Sequence, residues 1–199
     1  MANCAGCKPH PCYEGKDCAR GYDYKPYDAP TRKEYAKAEN LKVMNVSTRI
    51  EGEHYMEWTR LEEIIGFAKQ MGYKRIGIAH CVGFLSEAKT MKDILDKDFE
   101  VHTICCKFSG INKQDFHLTQ IHGDRYESIC NSIGQAMVLN DLKTDMNIIL
   151  GLCVGHDMLF TKYSEAPVTT FVVKDRVTGH NPVVSLYSRY HRKKFTGEG

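Results

Sequence analysis

Apolar positions along this chain change period as it is read. From Thr31 the spacing is helical, first over Thr31 to Met44. A longer run follows in which Trp58, Leu61, Ile64, Ile65, Ala68 and Met71 return every third or fourth residue, with Gly72 as its C-cap. Beyond Gly72, short apolar runs alternate with helical stretches. Lys74 to Cys81 predicts a buried strand, Leu85 to Asp96 a helix, and Phe99 to Cys106 a second strand. A polar loop near Asn112 to Asp124 leads to a helix from about Tyr126 to Leu142, and Met146 to Cys153 is a third strand. A short helix around Asp157 to Tyr163 precedes a fourth strand, Val168 to Lys174, and Asn181-Pro182 supplies the N-cap and first residue of a last helix. Strands separated by helices of this length predict a parallel sheet with right-handed crossovers. The expected fold is α/β, a small doubly wound, Rossmann-like parallel sheet with a helical lead-in.

Residues 1–30 break this pattern. They hold four of the six prolines and four of the nine cysteines, with no Val, Leu or Ile, so they cannot build an apolar core. Three parts are therefore expected: a cysteine-rich metal-binding segment over 1–30, a helical lead-in packed on the core over 31–72, and an α/β domain over 73–199. The formal net charge of +2 supplies no broad basic field, although Arg189 to Lys194 is locally basic, so nucleic acid is not the default partner. The longest strongly apolar stretch, Ile148 to Gly155, is too short to span a bilayer, and Met1-Ala2-Asn3-Cys4 opens no apolar signal core. A cytoplasmic location without membrane attachment is expected. In that reducing setting, nine cysteines point to metal, iron-sulfur chemistry or reactive thiols rather than to disulfides.

The N-terminal cysteines Cys4, Cys7, Cys12 and Cys18 follow the spacing C-x2-C-x4-C-x5-C. Four thiolates within fifteen residues converge when the loop curls around a metal, which supplies the free energy that the segment otherwise lacks. Two occupants suit such a knuckle: Zn2+ and a [4Fe-4S] cluster.

The other five cysteines are Cys81, Cys105, Cys106, Cys130 and Cys153, and four of them lie at the carboxyl ends of predicted strands. Open parallel sheets bind ligands outside those ends, where the crossover direction reverses. With strand order 2-1-3-4, that point falls between the strands ending in Cys81-Val82-Gly83 and Cys153-Val154-Gly155. Cys81 and Cys153 are thus expected to face one crevice and form a reactive or cluster-binding centre, with His156 beside it as proton donor or ligand. Adjacent strand residues point to opposite faces, so one of Cys105 and Cys106 reaches the same crevice. Cys130 falls within the predicted helix, where packing competes with a role in the site. Asp157 is expected as a helix N-cap, while Lys174, Arg176 and His180 offer anion contacts along the same edge. The chain contains no G-x-G-x-x-G after the first strand, no G-x-x-x-x-G-K-[ST] and no G-x-S-x-G.

Several stretches together resemble a named group. They are Cys4-x-x-Cys7-Lys8 with Cys12 and Cys18, Ile76 to Gly83, Cys105-Cys106-Lys107, Cys130-Asn131, Gly151 to Asp157, Lys174-Asp175-Arg176 and Gly179 to Pro182. The sequence is similar to the uncharacterised metal-binding proteins of domain of unknown function 1847. That resemblance implies metal at the four N-terminal cysteines and brings no assigned reaction. Ala19 after Cys18 departs from the proline expected in many relatives, which counts against a Cys-Pro iron-sulfur pattern.

Three functions follow from these features. One is an iron-sulfur or thiol-dependent redox or sulfur-handling enzyme, with a second cluster possible in the crevice. It would take a small or sulfur-containing substrate and receive electrons from a donor protein. The second is a zinc metallochaperone or sensor without catalysis. The third is a zinc-knuckle RNA-binding module, using the tyrosines near residues 13–27.

Overall fold

The computed structural model describes residues 4–8, 10–16, 23–123 and 125–197. Cys18, and with it the completeness of the four-cysteine set, lies outside the described residues. The chain divides into two compact units, residues 1–57 and 58–199. No helix among the described residues is long and apolar enough to cross a membrane.

The first unit has two short 3-10 turns, Cys4–Gly6 and Pro11–Glu14, followed by helices α1 (Lys25–Tyr35) and α2 (Ala38–Glu53). Helix α1 begins six residues before the apolar periodicity does. Pro26 sits in its first turn, where a missing N–H costs no hydrogen bond. The run expected to continue to Met44 is divided after Tyr35, and Lys37 is extended before α2 starts.

The second unit opens with α3 (Arg60–Met71), fixed at its start by a reciprocal capping box between Thr59 and Glu62. Gly72 ends it at φ 79°, a conformation that glycine adopts without strain. There follow β1 (Arg75–His80), α4 (Leu85–Leu95), β2 (Glu100–Cys105), α5 (Ser132–Asp141), β3 (Met146–Leu150), α6 (His156–Tyr163), β4 (Val168–Val172), α7 (Val184–Tyr187) and α8 (Arg189–Thr196). The four strands form one all-parallel sheet in the order β2-β1-β3-β4. Central strand β3 is buried along its whole length, and β1 everywhere but at Arg75. Ile76, Ile78, Ile148, Ile149 and Leu150 form the core with Ala68 of α3, Leu95 of α4, Leu139 of α5 and Phe160 of α6.

Two helix starts differ from the sequence expectation. Residues 126–131 are not helical: Ser128 bridges antiparallel to Asn112, and the Ile129 N–H donates to the Ile111 carbonyl at 2.8 Å. Helix α5 starts only at Ser132, where the Asn131 side chain caps it by accepting from the Gly134 N–H at 2.9 Å. Cys130 therefore precedes the helix instead of lying within it. The final helical segment begins at Val184, two residues after Pro182. His180 at φ 68° reverses the chain first, and the Val184 N–H then donates to the Asn181 carbonyl.

Candidate thiol site at the carboxyl edge of the sheet

Strand register brings the first two sulfurs together. His80 of β1 is the partner of Cys105 in β2, and the ladder runs one residue further, with the Cys106 N–H donating to the His80 carbonyl at 2.8 Å. Cys81 and Cys106 are thus consecutive extensions of neighbouring parallel strands, and side chains at matched positions share a face about 5 Å apart. Cys105 is matched instead with His80, on the opposite face, so Cys106 is the member of the pair that reaches the site. His80 is buried, and its Nδ1 pairs with the Cys81 carbonyl at 3.1 Å.

The third sulfur arrives from the segment that leads into α5. The Asn131 N–H donates to the Cys106 carbonyl at 2.8 Å, and Lys107 Nζ donates to the Ser128 carbonyl at 2.6 Å. These bonds dock residues 128–131 on the end of β2 and set Cys130 against Cys106. Gln135, fully buried in α5, fastens the same corner from below: its Nε2 donates to the carbonyls of His80 at 3.1 Å and Ile104 at 2.7 Å. One amide thus ties the ends of β1 and β2 to the helix that follows Cys130.

His156 opens α6 after Gly155, whose φ of 86° turns the chain out of the β3 edge. It hydrogen-bonds Cys130. The sulfur-bearing side chains and the imidazole therefore form a chain running Cys81, Cys106, Cys130, His156. Its electrostatics alternate. Cys130 is held at about 3, well below the ordinary thiol range, by hydrogen bonds from Cys106 and His156 and by the nearby Lys107 charge, against the opposing effect of burial. Cys81 is lowered to about 5 by its bond with Cys106, by the Gly83 N–H and by Lys174. Cys106 is pushed up, because its single proton is shared between Cys130 and Cys81 and because it is buried. The Val82 N–H also donates to Cys106 Sγ at 3.3 Å. His156 is raised by its bond to Cys130, which favours imidazolium. Cys130 and Cys81, both lowered, thus lie on either side of a Cys106 that keeps its proton, with an imidazole whose protonated form is favoured at the end. Such a set can attack an electrophilic sulfur or exchange disulfides.

Cys153 stands apart from that chain. It is half-buried, its carbonyl accepts from the N–H groups of His156 and Asp157, and Arg176 Nη2 lies 3.8 Å from its sulfur. The β1–β3 ladder pairs His80 with Leu150, which sets Gly151 and not Cys153 opposite Cys81. Asp157 lies in the first turn of α6 while Gly155 occupies the cap. Lys174 Nζ is 4.4 Å from the centre of the Phe84 ring. It fills the space beside Gly83, where a Cβ would come within 2.7 Å of it. His180 turns inward: its ring is 4.6 Å from that of Phe84, and its Nδ1 accepts from the Asp175 N–H at 3.0 Å. The four-residue helix α7 leaves it no helix N-terminus of the kind expected from Pro182.

In the N-terminal segment, the Cys7 N–H donates to the Cys4 carbonyl at 3.0 Å, giving the turn expected of Cys4-x-x-Cys7. Cys4 Sγ lies 3.3 Å from Tyr24 Oη, Cys7 is buried and Cys12 is exposed. Among the described residues, no group of three or more His, Cys, Asp or Glu is arranged to hold a metal ion. Sequence reasoning gave no site role to Gln135. Its only signal was a polar residue on the helical face otherwise carrying Ala136 and Leu139.

Residues 24–171 match the model of a family described as protein of unknown function (DUF1847). An uncharacterised protein of Methanocaldococcus jannaschii is 51% identical over 191 residues, which cover 96% of each chain. No solved structure matches. The chain belongs to the DUF1847 family.

Proposed function

We propose that this protein is a cytoplasmic, metal-binding member of its family with a thiol-based redox or sulfur-handling site at the carboxyl edge of its sheet. The observation that carries the proposal is the juxtaposition of Cys81, Cys106 and Cys130 by strand register and by the Asn131 to Cys106 bond, with His156 acting on Cys130. Cys130 is the nucleophile, because it is the most accessible of the three sulfurs and is paired with His156. Cys106 holds the shared proton and Cys81 carries the second thiolate. The strand order adds the location. β1 to β2 runs one way across the sheet and β2 to β3 to β4 the other, so right-handed crossovers set α4 on one face and α5 and α6 on the other. We read this as a doubly wound, Rossmann-like arrangement, with its switch point between the chain segments leaving β1 and β3.

Cys4, Cys7, Cys12 and Cys18 would hold the metal, as a [4Fe-4S] cluster or Zn2+. The Cys4-x-x-Cys7 turn fits either, because it offers two thiolates to one centre. When bound, the iron-sulfur group would supply single electrons and zinc would supply structure. The test is anaerobic purification with iron, acid-labile sulfide and zinc analysis, beside alkylation of the reduced protein. Brown protein with iron and sulfide, and a Cys130 that alkylates at pH 5, support the redox reading. Colourless zinc protein with Cys130 titrating near the ordinary thiol range would replace it with a metallochaperone or sensor. Metal content unchanged in the Cys4, Cys7, Cys12, Cys18 quadruple Ser variant would remove the N-terminal centre.

A further inference from the structure

Three cations attend the sulfurs at this edge, and each is held by a different device. Lys174 lies over the Phe84 ring in the space that Gly83 leaves open. Arg176 reaches Cys153 Sγ at 3.8 Å. Lys107 is anchored on the Ser128 carbonyl, next to Cys130. The charges acting on Cys81, Cys130 and His156 come from Lys107, Lys174 and one another. A further donor is unspent: the Ser132 hydroxyl, two residues after Cys130, is buried and has no hydrogen-bond partner. Positive charge distributed along the edge, Lys107 acting on Cys130, Lys174 on Cys81 and Arg176 lying against Cys153, suits a substrate that is an anion and whose electrophilic atom is itself sulfur.

The geometry points to an anionic carrier of sulfane sulfur as the substrate, thiosulfate or a persulfide R–S–S⁻, bound by Lys174 and Arg176 and delivering its outer sulfur to Cys130. This rests on the thiol site proposed above and names its substrate class. With thiosulfate the step balances without an outside oxidant. The Cys130 thiolate attacks the outer sulfur and a new S–S bond forms on the protein. The S–S bond of thiosulfate breaks, and sulfite departs with the bonding pair. One thiolate and a dianion become one persulfide anion and a dianion. The cations face the same total charge on both sides.

The experiment uses full-length reduced protein under argon, with thiosulfate as the probe and glutathione persulfide as a second anionic arm. A neutral dialkyl trisulfide serves as the uncharged donor. Expected are a mass gain of one sulfur atom on the Cys130 peptide and, with thiosulfate, one sulfite released per chain. Labelling by either anion supports the class, and the faster arm identifies the source. The Lys174→Met, Arg176→Met double variant keeps the aliphatic stems. It should need at least tenfold more thiosulfate for half-maximal labelling, with its trisulfide labelling and its iodoacetamide rate unchanged. Equal labelling of wild type and double variant by thiosulfate overturns the anionic substrate while leaving the thiol site intact. Labelling by trisulfide alone does the same. No labelling by any donor, together with Cys130 alkylation that titrates like a free thiol, overturns the thiol site itself.

Discussion

Replacing Cys106 by Ala tests whether one buried thiol sets the reactivity of Cys130. The bond from Cys106 is the largest of the influences that lower Cys130. A hydrogen bond to a charged group contributes about 1.5–3 kcal/mol. At 1.36 kcal/mol per pH unit, its loss raises the Cys130 midpoint by about 1 to 2 units. The midpoint should therefore climb from about 3 to about 4–5, with His156 and Lys107 still in place. A more basic thiolate is also a better nucleophile, with a Brønsted slope of about 0.4–0.5, so each unit raises the plateau rate about threefold. The assay is site-resolved iodoacetamide alkylation of reduced protein from pH 3 to 9, read by peptide mass spectrometry, with circular dichroism reporting the fold at each pH. Wild type should be nearly flat above pH 5, and Cys106→Ala should react about 3 to 9 times faster at pH 7. The pH 7 ratio needs no acid and is the decisive number. An unchanged rate at pH 7, or a wild-type midpoint near 8.5, would refute the coupled-thiol argument.

Gln135→Leu keeps the volume but leaves the His80 and Ile104 carbonyls without their donor, so chemical unfolding should show a loss of about 2–4 kcal/mol. The same variant should also lose the lowered Cys130 midpoint, whereas a purely structural role would leave that midpoint in place. Gly151→Ala sets a Cβ 2.1 Å from the Phe84 ring at φ 72°. It should cost about 1–3 kcal/mol for overpacking and a similar amount for backbone strain, visible as a lower denaturation midpoint. For pH dependence, Cys81 is lowered on folding, so its thiolate stabilises the fold fully above about pH 8.5 and loses that effect as pH falls towards 5. The urea-midpoint gap between wild type and Cys81→Ala should accordingly widen from pH 5 to 8.5, and a gap independent of pH would contradict it.

The order of elements and the parallel sheet were legible in the sequence because they rest on periodicity. The apolar runs at Ile76, Val101, Ile148 and Val168 each become a strand, and Thr59, Glu62 and Gly72 mark α3 through local hydrogen bonds that need no tertiary partner. Carboxyl-end cysteines after parallel strands were also enough to locate the candidate edge. Which sulfurs meet there was decided by register and loop docking, which are long-range. The repeated Cys-Val-Gly suggested Cys81 with Cys153, yet the ladder matches Cys81 with Cys106 on one side and sets Gly151, not Cys153, opposite it on the other. Cys130 reads as an interior helical residue because Ile129, Ile133 and Ala136 keep helical spacing across it. Its place in the site comes from the Asn131 to Cys106 bond and the Ser128 to Asn112 bridge, contacts across more than a dozen residues that no local pattern encodes. Gln135 is the same case: its helix is local, but the two carbonyls that give it a purpose belong to strands that only the folded chain brings together.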